Sequence, residues 1–374
     1  MVIRVATSPG EIRAVAVDGQ GPLDYAITRP HAPDGVGDLH RGRITAHLPA
    51  LAGSFVRLAD GTEGFLPDST LPRGKPPNEG TILPVRVTRA AQGGKGPRLT
   101  ATLTEDEASA AAPGPVALLK RGPGAVERLA ALHPQAPVEI DDAALAATLR
   151  PGLGERLHRV GQAIDESLQA SLESLAESQA ALPGGARMSI HPTPALTAID
   201  LDLAAASAGR GEKGRVHAAV NLAALPALAR QIRLRNLSGA ILVDLAGLGV
   251  KRRLTLAPAF AQALEGDPMA PRFLGFSALG LAEILRPRAH SPLHELLAGP
   301  HAAGLAALRH AARQAAARPR ARLVLHAAPA VVTALQADTG AIADFTARAG
   351  HPISLHQDTA LPPGAWRIEE IPHG

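Results

Sequence analysis

The segment GGARMSIHPTPALTAIDLDL, residues 184–203, determines how the rest of the chain is interpreted. A Gly-Gly turn opens it, and apolar residues then alternate with polar ones, which predicts a β-strand. A second short apolar run follows and carries two acids at its end, Asp200 and Asp202. A later strand-like run, GAILVD at residues 239–244, also ends on an acid, Asp244.

Apolar strands that deliver carboxylates at their ends are one way in which a sheet builds a divalent-metal site. Hard cations such as Mg²⁺ prefer oxygen ligands, and they often hold only one or two protein carboxylates, which leaves room for phosphate and water. Acids at strand ends are also common as turn formers and helix caps. The pattern alone therefore leaves both a metal site and a structural role open.

Two of these segments resemble the ribonuclease E/G family. ALTAID at residues 195–200, followed by Leu-Asp-Leu, is similar to the family's ALTAIDxN, and ARQIRLRNLSGAILVD at residues 229–244 is similar to its ARQLRLRDLGGxIVIDF. The resemblance implies a hydrolase, a metal-dependent endoribonuclease of RNA processing and decay that cleaves single-stranded RNA. It implies that Asp200 and Asp244 hold one Mg²⁺, or Mn²⁺ in its place, and that an activated water attacks the phosphodiester.

Three positions near this chemistry depart from the family's pattern. Asp202 is a further expected catalytic residue but stands where the family has Asn, and a carboxylate cannot donate a hydrogen bond as an amide does. Pro194 replaces the usual Glu, and Ala278 replaces the arginine of a segment similar to the family's LGxTRLG. The alternative function is therefore a catalytically degenerate RNA-binding protein of the same fold.

Composition limits the partners and the compartment. Net charge is +4 and the sequence pI about 9.9, which permits a polyanionic partner without requiring one. The absence of cysteine excludes disulfides and thiolate metal sites, so we expect no zinc and no zinc-linked tetramer, whereas a homodimer stays compatible with the sequence. No apolar window reaches the roughly 18 residues of a membrane span, and no signal peptide is evident, so we expect a cytoplasmic protein.

The resemblance implies an α/β chain of several subdomains. Residues 1–36 are expected to supply strands of a ribonuclease-H-like subdomain, and residues 105–185 its remainder with a shortened sensor region that lacks the family's motif for sensing a 5′-monophosphate. Residues 37–104 are expected to form an inserted S1-type OB-fold barrel that binds RNA. Residues 186–298 would be the DNase-I-like catalytic core and residues 299–374 a small C-terminal α/β domain.

Hydrophobic periodicity and the positions of Gly and Pro predict individual strands, helices and a linker. Short strands separated by Gly and Pro predict a small closed barrel with strands at 40–46, 53–59, 63–66, 81–89 and 98–103. Residues 105–118 are rich in Ala and Pro, which predicts a linker. Apolar residues at helical spacing predict one helix from Leu153 to Leu182, ended by Pro183-Gly184-Gly185, and another helix from Asn221 to Arg235.

The barrel and the second helix contain candidate RNA contacts. By resemblance, two aromatic rings of the barrel stack on unpaired bases, and a lysine in a Gly-rich loop contacts phosphate. The alternative is that each ring fills the barrel interior. Arginines of the barrel and the helix complete the predicted set, unless they simply form a solvated surface. The predicted RNA-binding residues are Phe55, Phe65, Lys95, Arg41, Arg43, Arg230 and Arg233.

Overall fold

The structure is a computed structural model that describes residues 1–71, 77–203 and 213–371, with the backbone alone for residues 213 and 214. Within these residues the chain forms four sheets. Three antiparallel strands open it, as the alternating apolar residues predict: β1 (Val2–Ser8), β2 (Glu11–Asp18) and β3 (Gly21–Thr28).

The five predicted strands of a small barrel are confirmed. They are β4 (Leu39–Leu48), β5 (Gly53–Arg57), β6 (Glu63–Pro67), β7 (Ile82–Arg89) and β8 (Arg98–Thr100). Hydrogen bonds join them in the order β5-β6-β8-β7-β4, and β4 pairs back with β5, which closes the barrel. Alternate side chains of these strands, among them Ile44, Val56, Leu66, Val85 and Leu99, form its buried interior.

The linker predicted at residues 105–118 is wrong in part. Residues Glu105–Ala110 form helix α1, which begins at a capping box between Thr104 and Glu107. Residues Ala117–Lys120 form strand β9, which pairs antiparallel with β4 at the edge of the barrel. Composition missed both elements, because the capping box sets the start of α1 and pairing with the distant strand β4 stabilises β9.

The chain then returns to the first sheet through α2 (Ala125–Leu132), β10 (Val138–Ile140), α3 (Ala143–Leu153) and β11 (Leu157–Arg159). Strand β10 lies parallel to β1, and β11 lies parallel to β10, which gives the order β11-β10-β1-β2-β3. The helices α2 and α3 pack on one face of this sheet, with apolar side chains of β1 and β2 beneath them.

The single helix predicted from Leu153 to Leu182 is wrong. The segment contains β11, then α4 (Glu166–Glu173), whose first turn is capped by the Asp165 carboxylate, and then β12 (Gln179–Ala181). Four apolar residues at this helical spacing are nevertheless buried, because Ile164, Leu168, Leu172 and Leu175 pack on the second face of the first sheet. Helical spacing identified the buried residues, whereas pairing with two sheets removed both ends of the helix.

The third sheet contains the strands formed by the segments 184–203 and 239–244. Its order is β12-β13-β14-β15-β17-β16, and within it β14 and β15 run parallel. The predicted helix from Asn221 is confirmed as the C-terminal part of a longer one. The elements after β12 are β13 (Ala186–Pro192), β14 (Leu196–Leu203), α5 (Lys213–Leu234), β15 (Gly239–Asp244), α6 (Val250–Leu254), α7 (Ala257–Leu264), β16 (Arg272–Phe276) and β17 (Ala282–Arg286).

A small α/β unit ends the described chain. Its sheet has the order β19-β18-β20, and α9, α10 and α11 bury apolar residues against it. The elements are α8 (Leu293–Leu296), α9 (Gly299–Ala317), β18 (Arg322–Ala327), α10 (Pro329–Ala337), α11 (Thr339–Ala349), β19 (Ser354–Gln357) and β20 (Trp366–Ile371). The mixed α/β class is thus confirmed, and no helix of the described residues is long and apolar enough to cross a membrane.

Candidate active site

The parallel pair β14 and β15 brings the predicted acids together. Asp200 and Asp244 are register partners on adjacent strands, and Asp202 lies two residues further along the same face as Asp200. The alternating neighbours Ile199 and Leu201 are buried in the sheet's core, whereas Asp200 and Asp202 are exposed. The pairing of β14 with β15 therefore places three carboxylates together at the C-terminal ends of these strands, where they face solvent.

These carboxylates line a cavity of about 420 Å³. Its other walls come from the turn that follows β15, from His217 on α5 and from Arg253 on α6. Partial burial raises the pKa of Asp200 above its ordinary value, and the nearby negative charges of Asp202 and Asp244 raise it further. The acids are therefore close enough to repel one another, which a bound cation would relieve.

A hydrogen-bond network from α5 fixes the turn after β15. The buried Asn221 amide donates to the Ala246 carbonyl at 2.9 Å and accepts from the Ala246 N–H at 3.2 Å. Gly247 has φ +61°, and a Cβ there would lie 2.1 Å from the His217 ring, so only glycine lets the ring approach. Nδ1 of His217 donates to the Gly247 carbonyl at 3.1 Å, which leaves Nε2 as the acceptor nitrogen of the neutral ring.

Arg253 contacts the predicted metal ligand directly. Its Nη1 lies 2.5 Å from Asp244 Oδ1 and also donates to the Gly280 carbonyl at 2.9 Å, while its Nε donates to the Leu248 carbonyl at 2.7 Å. Gly280 belongs to the turn between β16 and β17 that also contains Ala278, where the family pattern has arginine. Arg253 thus supplies a guanidinium at the cavity, but from α6 rather than from this turn.

The donor set suits a hard cation with few protein ligands. Among the described residues, no group of three or more His, Cys, Asp or Glu side chains is arranged to hold a metal ion. Mg²⁺ is commonly bound through one or two carboxylates, with water and phosphate completing its coordination. Asp200 and Asp244, both at the cavity and in register, fit that requirement.

The barrel presents two aromatic rings on its outer face. Phe55 and Phe65 are register partners on β5 and β6, their ring centroids are 5.9 Å apart, and both side chains are partly exposed. Neither belongs to the barrel's buried cluster, so the alternative that they fill its interior is wrong. A Cβ at Gly53 would come within 2.3 Å of the Phe65 ring, which shows how closely this ring covers β5.

Basic groups flank these rings. Arg43 is exposed and pairs in register with Arg57, which points outward two residues after Phe55. Lys95 is exposed in a tight hairpin whose backbone pairs with Gln92 at 2.8 and 2.9 Å. The hairpin leads directly into the strand beside Phe65, so its ammonium group lies on a short loop that adjoins the aromatic face.

Three other predicted RNA-binding arginines have their guanidinium groups occupied within the chain. Arg41 donates to the carbonyls of Ala112 at 2.6 Å and Pro115 at 2.9 Å, which fixes the segment between α1 and β9. Arg230 and Arg233 on α5 form ion pairs with Asp18 and Asp24 of the first sheet. Their placement connects subdomains and is not part of the cavity's lining.

The sequence reasoning missed His217 and Arg253. A signal for His217 existed in its spacing of four residues from Asn221, which puts both side chains on the same face of one helix. The only signal for Arg253 was its position after the turn that follows β15, within the basic run Lys251-Arg252-Arg253.

The fold and the cavity define a multi-subdomain α/β protein with a closed barrel and a carboxylate-lined cleft at the end of two parallel strands. The model of the Ribonuclease E/G family matches residues 149–289, a range that contains Asp200, Asp202 and Asp244. Through this segment, which is less than half of its length, the chain is similar to the ribonuclease E/G family.

Individual proteins named ribonuclease E and ribonuclease G are also similar to this chain. Ribonuclease E of Synechocystis sp. is 32% identical over 143 residues, 38% of this chain and 20% of that protein. Ribonuclease G of Escherichia coli K12 is 29% identical over 189 residues, 47% of this chain and 38% of that protein. Ribonuclease E of Escherichia coli K12 is 24% identical over 78% of this chain and 37% of its own length. The chain therefore spans from a fifth to two fifths of the relatives it matches.

Proposed function

We propose that this chain is a metal-dependent endoribonuclease that hydrolyses single-stranded RNA. The observation that carries the proposal is the register of Asp200 and Asp244 on adjacent parallel strands at the edge of an open cavity. The match of residues 149–289 to the ribonuclease E/G family supports the substrate class and the type of bond cleaved.

Asp200 and Asp244 are the residues that would hold Mg²⁺. When bound there, Mg²⁺ would polarise the scissile phosphate and lower the pKa of a water molecule. Asp202, exposed on the same face, can accept a hydrogen bond from the attacking water and so orient it. Its negative charge also strengthens the attraction of this edge for a divalent cation.

Two residues from outside the strands complete the proposed site. The acceptor nitrogen Nε2 of His217 can take a hydrogen bond or a proton at the cavity. Arg253 can exchange its contact with Asp244 for one with an RNA phosphate, since a guanidinium binds carboxylate and phosphate in the same geometry. It would then provide the cation that Ala278 does not.

The barrel would bind the RNA strand that enters the cleft. Phe55 and Phe65 offer partly exposed rings on which unpaired bases can stack, and each stacked base contributes roughly 1–3 kcal/mol. Lys95 and Arg43 are exposed cations beside them that can contact the phosphates. Arg41, Arg230 and Arg233 are left out of this proposed surface, because carbonyls or carboxylates of the chain take up their donors.

A second candidate is an RNA-binding protein of the same fold that does not cleave. The ion pair between Arg253 and Asp244 favours it, because a bound guanidinium competes with a metal ion for the same carboxylate. Ala278 in place of the family's arginine and Pro194 in place of its Glu also favour a protein that does not cleave.

One cleavage assay separates the two candidates. Purified protein is incubated with an end-labelled, AU-rich oligoribonucleotide in Mg²⁺, in Mn²⁺ and in chelator. Endonucleolytic products that need a divalent ion support the nuclease. Binding without any products in either metal supports the degenerate alternative.

A further inference from the structure

A second cavity lies on the first sheet, and several charged side chains line it. Its volume is about 520 Å³, and its walls come from β1, β2, α4 and α9. Ser8 and Arg13 line it from the strands, Gln169 from α4, and Arg309 and Arg313 from α9. A neighbouring cavity of about 290 Å³ is also lined by Arg13, Gln169 and Arg309.

Positive charge exceeds negative charge at this place. The buried Glu11 carboxylate is fully used, since Oε1 accepts from Arg29 at 3.0 and 3.1 Å and Oε2 accepts from Arg309 at 2.8 Å. The Arg13 guanidinium donates to the neutral Gln169 side chain at 2.8 Å, and no carboxylate of the described chain lies within ion-pair distance of it. Two guanidinium groups therefore share the Glu11 carboxylate, and the Arg13 guanidinium beside them has no carboxylate partner.

The arginines are close enough to disfavour one another's charge. Burial lowers the pKa of Arg309, and the neighbouring positive charges of Arg13 and Arg313 lower it further. Arg313 is exposed at the mouth of the cavity, whereas Arg13 is only 7% exposed. An anion placed between these groups would offset their repulsion.

Two buried donors are also without a hydrogen-bond acceptor. Ser8 is 7% exposed and its hydroxyl has no hydrogen-bond partner among the described residues, and the same is true of Nε of the buried Arg13. Buried polar groups in native proteins are nearly always hydrogen-bonded, so such a pair within one cavity indicates a ligand that accepts.

The acids of this cavity have other roles. Asp165 forms an ion pair with Arg4 at 2.8 Å and caps α4. Asp141 accepts from the Thr7 N–H at 3.2 Å, and burial raises the pKa of this carboxyl group. Glu166 is exposed. None of the three forms an ion pair with Arg13 or Arg313.

We propose that this cavity binds the phosphate group of a small molecule, either inorganic phosphate or a small phosphomonoester. Arg13, Arg309 and Arg313 would supply the charge, and the Ser8 hydroxyl a further donor. Guanidinium groups match the oxygens of a phosphate dianion. The volume exceeds what a phosphate group alone occupies, so a small organic group can be accommodated as well. This site does not depend on the proposed nuclease function.

The test is titration calorimetry on the full chain, with chelator present so that no divalent ion can bridge phosphate to the carboxylates of the active site. Inorganic phosphate and glycerol 3-phosphate are titrated separately at matched ionic strength. We expect saturable binding at one site for at least one of them. Arg13→Gln should weaken binding by about tenfold or more, Ser8→Ala by a smaller factor, and the exposed control Arg320→Gln not at all.

Thermal unfolding distinguishes a ligand site from a structural arginine. In chloride, Arg13→Gln should melt at or above the wild-type temperature, because it removes a repelled charge. In phosphate, the wild type should gain stability and the variant should not.

If Arg13→Gln does not fold, Arg313→Gln at the exposed mouth must weaken phosphate binding instead. Absence of saturable binding, or an equal loss in Arg320→Gln, overturns the proposal. So does a 5′-phosphorylated dinucleotide that binds more tightly than both small phosphates, because the ligand would then be an RNA end.

Discussion

Arg253 Nη1 lies 2.5 Å from Asp244 Oδ1, so a cation from α6 is already bound to one of the two carboxylates proposed to hold a metal ion. The arginine side chain is only 12% exposed, whereas that of Asp244 is 49% exposed. The carboxylate can therefore face an incoming ion while the guanidinium remains at the wall of the cavity. The proposed function requires the Arg253 guanidinium to exchange its contact with Asp244 for one with an RNA phosphate when metal and RNA bind.

Replacing Arg253 tests this exchange. Arg253→Gln should reduce the concentration of Mg²⁺ needed for half-maximal cleavage, because Asp244 loses its competing partner. The maximal single-turnover rate should nevertheless fall roughly 100-fold, as it does when one donor to a developing negative charge is lost. The neighbouring exposed Arg252→Gln is the matched control. An unchanged rate together with a higher Mg²⁺ requirement would show that Arg253 only holds Asp244 in place.

The sequence located the strands and acids of the site because both signals are local. Alternation in residues 184–203 and 239–244 is dictated by the two faces of a strand, and the acids that end each run follow directly. Sequence could not show that Asp200 and Asp244 are register partners, because register depends on how β14 and β15 pair.

Contacts between residues that are distant in sequence explain what the sequence could not predict. The helix predicted from Leu153 to Leu182 ignored strand pairing by β11 and β12, which tertiary contacts decide. The sequence likewise could not show that Arg230 and Arg233 pair with Asp18 and Asp24, which lie about 200 positions earlier in the chain. Partners that are distant in sequence are found only when the fold is known.

The raised pKa of Asp200 gives a pH dependence of stability. Its ordinary value is 3.8, and burial together with Asp202 and Asp244 raises the pKa in the folded chain. The metal-free folded state therefore binds more protons than the unfolded state between 3.8 and the raised pKa. Asp200 thus contributes stability that is fully present below that window and is lost as pH rises through it.

Asp202→Asn should reduce the loss of folding stability with rising pH, because it removes one of the charges that raise the pKa of Asp200. The measurement is urea unfolding in chelator between about pH 4 and pH 7, with Glu265→Gln on the same subdomain as the charge-matched control. A pH dependence identical to that of the wild type would mean that Asp202 is too far from Asp200 to influence it.

The outer face of the barrel should control RNA affinity. Phe65→Ala and Phe55→Ala should each weaken binding of single-stranded RNA by roughly 5- to 150-fold at every salt concentration, because stacking is not ionic. Both rings are only partly buried, so the melting temperature should change little. Lys95→Ala should instead reduce the slope of log affinity against log salt by about one unit or less.

The matched control for the ring is Phe65→Leu, which keeps an apolar side chain over Gly53 and removes the aromatic face. It should bind RNA as weakly as Phe65→Ala. Recovery of wild-type affinity in Phe65→Leu would show that the side chain stabilises the barrel and does not contact bases.

Cleavage should be independent of the RNA 5′ end. The chain between the barrel and α4 is used for α1, β9, α2, β10 and α3, and Arg121, one of its basic residues, is paired with Asp38 at 2.6 Å. We expect nearly equal single-turnover rates for one oligoribonucleotide carrying a 5′-hydroxyl, a monophosphate or a triphosphate. A rate about tenfold higher for the monophosphate would require a pocket in which guanidinium groups bind a terminal dianion.

The pairing of Asp200 with Asp244 is tested most directly by single-turnover cleavage of a labelled oligoribonucleotide in Mg²⁺ by Asp200→Asn, Asp244→Asn and the control Glu265→Gln. Each Asp variant loses one carboxylate that would hold the metal, so cleavage should fall by several orders of magnitude, equivalent to several kcal/mol of transition-state stabilisation. RNA affinity should stay within a few-fold of wild type, and the control should cleave normally. Cleavage by either Asp variant within a few-fold of the wild-type rate would contradict the assignment of these two residues as the metal site.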